Sequence, residues 1–509
     1  MRKLNLLLPL ALLLIAAPVP AAPRHVVVMV WDGMRPDFIS ETNTPTLFQL
    51  ARDGVSFENH HSVYPSSTEV NGTAIATGCY PDHSFLIANR EYRPSIDPLK
   101  SFATESLPAM RKADESGGKY LDRLTMAEIV QRNGLRTAVA GTKPVVHLQD
   151  RAARSDLAES VNLAEGKTLP SAALDRITQA VGAFPAAPET KIDRDAWTTR
   201  ALTESLWEKD VPALSVLWMG EPDFSQHATA PGSERSLRAV HSSDENLARV
   251  LKILESKGVR ATTDVIVVSD HGFSSIGRTL DVAALLRAAG FDAERELKHP
   301  LGPGEIMVVG NGGTVLLYVG GHDAVVSEQL ARFFQQSDFA GAIFSREKIS
   351  GTFALDSVNV DSPQAPDLLV SMRWEPATNA FGAPGTIACD LNSTSKGSHV
   401  TLSRFDLHNI CVAQGPDFKR GLRSTTASGN TDIAPTALRI LGLTAPVKMD
   451  GRVLAEAMTL NDNIPRAEIP AEMLAEIRLE NKLWKQYLKI SRVNGVIYFD
   501  EGNGAVHTP

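Results

Sequence analysis

The chain has 509 residues, of which 43% are hydrophobic and 22% charged, as in an ordinary globular protein. Its formal net charge of −8 gives no indication of a nucleic-acid or anionic-membrane partner. Its length allows two to four domains. Three cysteines, Cys79, Cys389 and Cys411, are too few to scaffold the chain and match no zinc-finger spacing. Cys389 and Cys411 are the nearer pair in sequence, and their pairing stays open.

The N-terminus has the pattern of a secretory signal peptide. Arg2 and Lys3 precede an apolar run from Leu4 to Ala17, and small residues and prolines follow. The run is shorter than the ~20 residues that a membrane-spanning helix needs. We therefore expect an exported protein, periplasmic or secreted, that is cleaved near Ala21 or Ala22 and keeps no membrane span.

Short apolar runs that end in polar clusters alternate with helical patterns along the chain. The runs are His25–Val30, Ala213–Met219, Asp264–Val268 and Asn409–Ala413. The helical patterns cover Thr44–Gly54, Leu124–Asn133 (before a strand at Arg136–Gly141) and Ser236–Ser256. Such runs suit strands that are covered on both faces. The alternation predicts an α/β fold, a doubly wound and mainly parallel sheet with helices on both faces, and ligands at the carboxyl ends of its strands.

The composition changes twice along the chain, and this predicts the domain organisation. Gly-rich turns and short strands, such as Thr314–Val319 and Asp367–Ser371, indicate an inserted cap over residues 276–390. The catalytic core would then comprise residues 23–275 and 391–455. Residues 456–509 read as an acidic helical extension that ends in a short strand, VIYFD.

Acidic and imidazole side chains cluster where these strands end. They are Asp32, Asp223, His227, Asp270, His271 and His399. Carboxylates and imidazoles together suit Zn²⁺, with Mn²⁺ as the second choice. Six such ligands, with the Thr68 hydroxyl, fit two ions. Two divalent ions beside three aspartates leave a net positive charge, which would attract a phosphate ester.

The stretch YPSSTEVNGTAIATG, residues 64–78, places hydroxyl residues directly before a helical pattern. Thr68 has two interpretations here. Its side chain could cap the helix, or it could be a nucleophile beside the free N–H groups of the first turn, which suit phosphate binding. The stretch alone leaves both open.

With these residues in place, the sequence resembles the nucleotide pyrophosphatase/phosphodiesterase family (type I phosphodiesterases) of the alkaline phosphatase superfamily. The segments that resemble it are residues 27–37, 64–84, 221–233, 265–275, 397–418 and 431–443. They span roughly residues 25–455. Their order is more specific than any single motif.

The resemblance implies two zinc ions and a threonine nucleophile. One ion would be held by Asp32, Thr68, Asp270 and His271, and the other by Asp223, His227 and His399. Thr68 would attack phosphorus and form a phospho-threonine intermediate that water hydrolyses. Asn71 would donate a hydrogen bond to a phosphoryl oxygen.

The chain departs from the family at the nucleophile. The family often has Lys-Thr-Phe-Pro-Asn, whereas residues 67–71 read STEVN, and Val400 follows His399 where a glycine is common. Glu69 is either an extra negative charge at the site or a first-turn residue favoured by the helix dipole.

We expect a small phosphate ester or nucleotide as substrate and phosphodiester or pyrophosphate cleavage as the reaction. A phosphomonoesterase is an alternative, and Lys143 or Arg90 could neutralise the additional charge of a monoester. A phosphonate hydrolase and an inactive metal-stabilised binding protein are the others.

Overall fold

The computed structural model describes residues 24–115, 119–151, 160–186, 189–391, 394–460 and 465–507. The predicted signal peptide, residues 1–22, lies outside them. The centre of the described part is a nine-stranded sheet. Its strands, from one edge to the other, are Leu422–Ser424, Val55–Phe57, Cys411–Gln414, Thr263–Val268, His25–Trp31, Leu214–Met219, Thr137–Gly141, Val161–Ala164 and Lys167–Leu169.

Five neighbouring strands of this sheet run parallel, from Thr263–Val268 to Val161–Ala164. In the register, Val28 lies opposite Ile266 on one side and Val216 on the other. Antiparallel pairs flank this parallel part on both sides. The predicted doubly wound, mainly parallel α/β sheet is confirmed.

Helices cover both faces of the sheet. Alternate residues of the strand His25–Trp31 therefore pack into two separate hydrophobic cores, one on each face. Val28 packs in the core that includes Ala74 and Ala437, from the helices Thr68–Thr77 and Ile433–Ile440. Met29 packs in the other core, with Val250 of the long helix Glu234–Ser256. This two-sided burial explains the continuous apolar runs in the sequence.

The three helices predicted for the core begin and end within a few residues of their observed bounds. The α-helices of the described residues are Pro45–Asp53, Thr68–Thr77, Pro81–Ser84, Leu107–Glu115, Met126–Arg132, Ala173–Val181, Ile192–Arg200, Asp223–Thr229, Glu234–Ser256, Val282–Ala288, Ala324–Gln336, Arg404–Leu407 and Ile433–Ile440. A π-helical stretch, Ala201–Leu206, continues Ile192–Arg200. No helix among the described residues has the length and apolar character to cross a membrane.

The region predicted as an insertion contains a sheet of its own. Its six strands are Ala293–Glu294, Ile306–Gly310, Thr314–Val319, Leu368–Met372, Ala340–Ser345 and Phe353–Ala354, in spatial order. A four-stranded sheet lies beside it, formed by Trp374–Thr378, Pro384–Asp390, Ser274–Leu280 and Gly397–Ser398. The second sheet joins the end of the insertion to the segment that leads to His399. The domain boundaries themselves stay a prediction.

The C-terminal extension is not helical, so that prediction is wrong. It forms an antiparallel sheet of three strands, Ala471–Leu479, Lys482–Val493 and Val496–His507. Trp484, Leu488 and Ile490 point to the buried side of this sheet. Trp484 and Leu488 are four residues apart, which also fits a helix, but the buried positions alternate with a period of two. Two small two-stranded sheets complete the described part. One pairs Arg90–Glu91 with Phe102–Ala103, and the other pairs His60–His61 with Ser428–Gly429.

All three cysteines are buried and free. Burial raises the pKa of the Cys79 thiol to about 12. None of the disulfide pairings that the sequence left open is formed.

Candidate metal centre and nucleophile

Three aspartates meet at the carboxyl edge of the sheet. Asp32 follows His25–Trp31, Asp270 follows Thr263–Val268, and Asp223 begins the helix after Leu214–Met219. Since these strands are parallel neighbours, their ends lie side by side. The backbone N–H of Asp223 donates to the carbonyl of Asp32 at 2.9 Å, which fixes the two loops together.

Three imidazoles face these carboxylates, and each is oriented in the same way. The Nδ1 atoms of His227, His271 and His399 lie 2.9, 2.8 and 2.9 Å from the backbone carbonyls of Gly397, Gly272 and Ser66. A carbonyl only accepts hydrogen bonds, so Nδ1 carries the proton and Nε2 presents a lone pair. This second hydrogen bond is typical of metal-binding histidines.

The lone pairs point at carboxylate oxygens. His271 Nε2 lies 3.2 Å from Asp270 Oδ2 and 3.7 Å from Asp32 Oδ1. The Nε2 atoms of His227 and His399 lie 3.3 and 3.7 Å from Asp223 Oδ1. Acceptors therefore face acceptors in a buried space, and a shared cation would resolve this.

Each aspartate has one oxygen held by donors and one buried oxygen without a hydrogen-bond partner. The unpartnered atoms are Asp32 Oδ1, Asp223 Oδ1 and Asp270 Oδ2, the same atoms that face the imidazoles. Asp32 Oδ2 accepts from the Trp218 indole at 2.8 Å. Buried polar atoms are rarely left unpaired, so this donor set fits metal ions. Ligand atoms of two groups, Asp32–Asp270–His271 and Asp223–His271–His399, lie within 4.8 Å of one another.

Thr68 lies beside this cluster. It is the first residue of its helix, its side chain is 2% exposed, and its Oγ1 lies 3.2 Å from His271 Nε2. Ser67 occupies the N-cap position, and no side chain caps the helix. Helix capping therefore does not account for the Thr68 hydroxyl, which points toward the candidate metal ligands.

Asn71 does not reach the cluster with a free amide, so its predicted role is wrong. Its Oδ1 accepts from the N–H of Val63 at 2.6 Å and from the Asn430 amide at 2.9 Å. Its Nδ2 donates to the carbonyls of Val63 and Ser67 at 3.0 and 3.1 Å. The side chain is fully buried and holds the loop before Thr68 in place.

Asn89 is the amide that sequence reasoning missed. Its Oδ1 accepts from the N–H of Glu69 at 3.0 Å, directly beside Thr68, and no hydrogen bond among the described residues uses its Nδ2. The side chain is half-buried. No local pattern indicates this residue, because it lies in a loop beyond the next helix and meets Thr68 only in the folded chain.

Lys143 stands between the two predicted metal positions. Its Nζ lies 2.9 Å from Asp32 Oδ2 and 3.0 Å from Asp223 Oδ2. Arg90, the other cation that the sequence suggested, is exposed, and its guanidinium donates to the carbonyl of Ser101 instead. Of the two, only Lys143 contacts the aspartates.

Burial and the neighbouring charges strongly shift the pKa values of the groups in the cluster. Burial and the charge of Asp270 raise the pKa of Asp32 well above its usual range, and burial raises the pKa of Asp270 to about 7. Burial opposes ionisation of Asp223 too, but Lys143 and the histidines hold the pKa of Asp223 well below its usual range. Burial alone would lower the pKa of Lys143, but Asp223 and Asp32 raise it well above normal. Lys143 is therefore the internal counter-ion of the carboxylates.

Glu69 is buried rather than solvated. Its side chain is 6% exposed and its Oε2 has no hydrogen-bond partner. Burial, with the nearby charge of Glu105, raises the pKa of Glu69 well above its usual range. Glu69 is therefore a buried first-turn residue next to Thr68, and the two interpretations of it that the sequence offered both stay open.

The α/β fold, with its candidate metal centre at the carboxyl edge of a mainly parallel sheet, is that of a hydrolase of the alkaline phosphatase superfamily. More closely, the chain belongs to the family described as type I phosphodiesterase / nucleotide pyrophosphatase, whose family model matches residues 26–379.

Relatives and solved structures agree with this assignment. Ectonucleotide pyrophosphatase/phosphodiesterase family member 3 of Mus musculus is 23% identical over 253 residues, which are 48% of this chain and 24% of the relative. The bis(5'-adenosyl)-triphosphatase enpp4 of Xenopus laevis is 20% identical over 441 residues, 84% of this chain and 80% of the relative. The chain thus spans about a quarter of the first relative and most of the second.

A solved structure of murine ectonucleotide pyrophosphatase/phosphodiesterase 5, in an inactive threonine-to-alanine form in complex with AMP, has the same fold. Its TM-score is 0.60 at 17% identity, and the match covers 86% of this chain and all of that one. The human counterpart gives a TM-score of 0.60 at 16% identity.

We expect Lys143→Met to tighten metal binding by at least about tenfold, because an ammonium next to both metal positions repels divalent ions. The metal-free variant should also be less stable, since Asp32 and Asp223 lose their counter-ion. Titration calorimetry with a competing chelator measures the affinity. Lys191→Met is the matched control, because the Lys191 ammonium lies over the Phe224 ring instead. Unchanged or weaker metal binding in Lys143→Met would contradict this assignment.

His60 gives the metal-free protein a pH-dependent stability. It is fully buried between Ser428 and Asn430, and burial lowers its pKa from 6.5 to about 3. Between pH 6.5 and about 3, the His60 side chain is protonated in the unfolded chain but stays neutral in the folded one. The free energy of unfolding therefore falls as the pH drops from about 6.5 toward 3. The slope is at most about 1.4 kcal/mol per pH unit. Urea unfolding in excess chelator at several pH values should give a shallower slope for His60→Gln; equal slopes would exclude this contribution.

Proposed function

We propose that the chain is an exported hydrolase of phosphodiester or pyrophosphate bonds that uses two Zn²⁺ ions and Thr68. One observation supports it above all others: the Thr68 hydroxyl lies 3.2 Å from His271 Nε2, within a buried set of unpartnered carboxylate oxygens and imidazole lone pairs. A metal-activated hydroxyl would account for why these acceptors are gathered around Thr68 at a helix N-terminus.

Asp32, Asp270, His271 and Thr68 would hold one ion, and Asp223, His227 and His399 the other. Tetrahedral carboxylate and imidazole sites favour Zn²⁺ over Mn²⁺. When bound, the two ions would supply positive charge that stabilises the attacking and leaving oxygens. The Nδ1–carbonyl hydrogen bonds would keep the three imidazoles oriented for this role.

Thr68 would act as the nucleophile. Its hydroxyl proton would pass to solvent, and its oxygen would attack phosphorus opposite the leaving group, which would depart with the bonding electron pair. Water then attacks the phospho-threonine, and the Thr68 hydroxyl is restored. The helix N-terminus adds roughly half a positive charge behind the phosphoryl group. The inactive threonine-to-alanine form of the murine relative supports this assignment.

Asn89 replaces Asn71 as the residue that positions the phosphoryl group. Its Oδ1 is held by the N–H of Glu69, so its free Nδ2 is available to an oxygen of a phosphoryl group at Thr68. The relatives support a substrate class, because they are named as a nucleotide pyrophosphatase/phosphodiesterase or a bis(5'-adenosyl)-triphosphatase, or were solved with AMP. We therefore propose a nucleotide or similar small phosphate ester.

We expect Asn89→Ala to lower kcat/KM about 100-fold while the protein melts near the wild-type temperature, because one positioned donor is lost. Asn71→Ala should instead lower the melting temperature, with a smaller effect on kcat/KM. It removes a buried amide with five hydrogen bonds to its surroundings and should cost about 2–4 kcal/mol of stability. Kinetics and thermal unfolding of both variants measure the two effects. An Asn89→Ala enzyme with wild-type kcat/KM would exclude the proposed role.

A phosphomonoesterase is the second candidate, and Lys143 is the observation that favours it. A monoester carries one more negative charge, and the Lys143 ammonium is the cation at the site that could balance it. The zinc-loaded protein should be offered bis-p-nitrophenyl phosphate, p-nitrophenyl phosphate and p-nitrophenyl phenylphosphonate in parallel. We expect the diester to have the highest kcat/KM. A strong preference for the monoester would replace the diesterase proposal.

A further inference from the structure

A second group of two imidazoles and a carboxylate lies outside the candidate active site. It consists of His61, His408 and Asp500, with one possible ligand atom from each within 4.8 Å of the others. The three residues come from distant parts of the chain. His61 is on the short strand His60–His61, His408 follows the helix Arg404–Leu407, and Asp500 is on the C-terminal strand Val496–His507.

His61 is oriented like the histidines of the candidate active site. Its Nδ1 lies 2.9 Å from the carbonyl of Ser428, and its Nε2 lies 3.0 Å from Asp500 Oδ1. Because the carbonyl only accepts, the proton belongs on Nδ1, and an Nε2 lone pair meets a carboxylate oxygen. The ring is 1% exposed, so bulk water does not separate these two acceptors. Either a second proton or a metal ion must lie between them.

The other two side chains are placed to share such an ion. The His408 ring centroid is 4.4 Å from that of His61. Both carboxylate oxygens of Asp500 accept from the Ser491 hydroxyl at 3.0 Å, which fixes the carboxylate. The Asp500 side chain is 22% exposed, so a solvent molecule can reach the fourth position of a tetrahedral ion.

We propose that His61, His408 and Asp500 bind one divalent transition-metal ion, with Zn²⁺ as the best match for two imidazoles and a carboxylate. The ion would fasten the C-terminal sheet to the core, since Asp500 belongs to that sheet and His61 and His408 to the core. Tyr498, two residues before Asp500, already stacks on His61 and donates from its hydroxyl to Asp432 at 2.8 Å. The site is structural and separate from the catalytic cluster.

The test is the number of zinc ions bound per chain. Full-length protein, stripped with chelator, is dialysed against a fixed free Zn²⁺ concentration and analysed by elemental mass spectrometry. Asp500→Asn keeps the size of the side chain, and His408→Gln removes a different ligand. Glu501→Gln is the matched control: it changes the next carboxylate, which bonds to Lys489 and Arg404.

We expect wild type and Glu501→Gln to bind one more zinc per chain than Asp500→Asn and His408→Gln. The turnover of Asp500→Asn and His408→Gln should stay within about threefold of wild type, because Asp500 and His408 do not touch the catalytic cluster. The difference does not depend on how many ions the active site holds, so an error in the proposed function would change all four totals equally. Equal zinc content in wild type and Asp500→Asn would overturn the proposal and leave His61 and Asp500 as a protonated ion pair.

Discussion

Replacing Thr68 with alanine is expected to lower kcat by at least about 1,000-fold, because removing a nucleophile eliminates the covalent step. Zinc content should change little, since Thr68 would be only one contact of an ion that Asp32, Asp270 and His271 would also hold. The fold should also persist, because no side-chain cap at this position supports the helix. Steady-state kinetics and elemental analysis on the same preparation measure both quantities.

Thr73→Ala is the matched control for this experiment. Thr73 is in the same helix, is fully buried, and its Oγ1 has no hydrogen-bond partner. Losing an unpaired hydroxyl costs little, so this variant should keep wild-type turnover. A Thr68→Ala enzyme that retains more than a tenth of wild-type activity would rule out Thr68 as the nucleophile.

Asp270→Asn is expected to remove about one metal ion per chain and to lower kcat at least about 100-fold, since a bound ion supplies several kcal/mol of transition-state stabilisation. The substitution is selective. Asp270 Oδ1 accepts from the N–H groups of Gly33 and His271 at 2.9 and 3.0 Å, and an asparagine oxygen can do the same. The amide NH₂ would replace Oδ2, the buried oxygen without a partner.

The pKa of Asp270 adds a second readout for the metal-free variant. Burial raises this pKa to about 7, whereas the carboxyl ionises at about pH 4 in the unfolded chain. The free energy of unfolding therefore falls as the pH rises from about 4 toward 7. At pH 8, chelated Asp270→Asn should therefore be at least as stable as the chelated wild type. Urea unfolding at pH 8 measures this.

Asp264→Asn is the matched control for Asp270→Asn. Asp264 is on the strand Thr263–Val268 that precedes Asp270, burial also raises its pKa to about 7, and it too has one bonded oxygen and one unpartnered oxygen. It lies at the opposite end of the strand from the cluster. Unchanged metal content in Asp270→Asn, or an equal loss in Asp264→Asn, would show that Asp270 is not a metal ligand.

The sequence predicted the sheet and the candidate cluster because both depend on strand ends. The run His25–Trp31 is apolar since both of its faces are buried, and a parallel strand delivers the residue after it to the carboxyl edge. Asp32 and Asp270 were therefore predictable from local pattern alone. His399 was not, because a lone histidine after Gly397 and Ser398 is equally typical of a surface loop.

The errors come from interactions that no local pattern encodes. The resemblance to the family implied that Asn71 contacts a phosphoryl oxygen, but the loop before Thr68 takes up the hydrogen bonds of its amide. Asn89 reaches the N–H of Glu69 through a tertiary contact. In the C-terminal strands, Trp484 and Leu488 satisfy both a helical and an extended period, and cross-strand pairing decides between them.

The most direct test of the proposed Thr68 mechanism is to trap the covalent intermediate. Zinc-loaded protein is mixed with the p-nitrophenyl ester of thymidine 5'-monophosphate, quenched in acid within one turnover, digested, and analysed by mass spectrometry. We expect a nucleotide adduct on Thr68, in the peptide that contains residues 64–78, and none in Thr68→Ala. Release of p-nitrophenol with no adduct on Thr68, or an adduct on another residue, would contradict it.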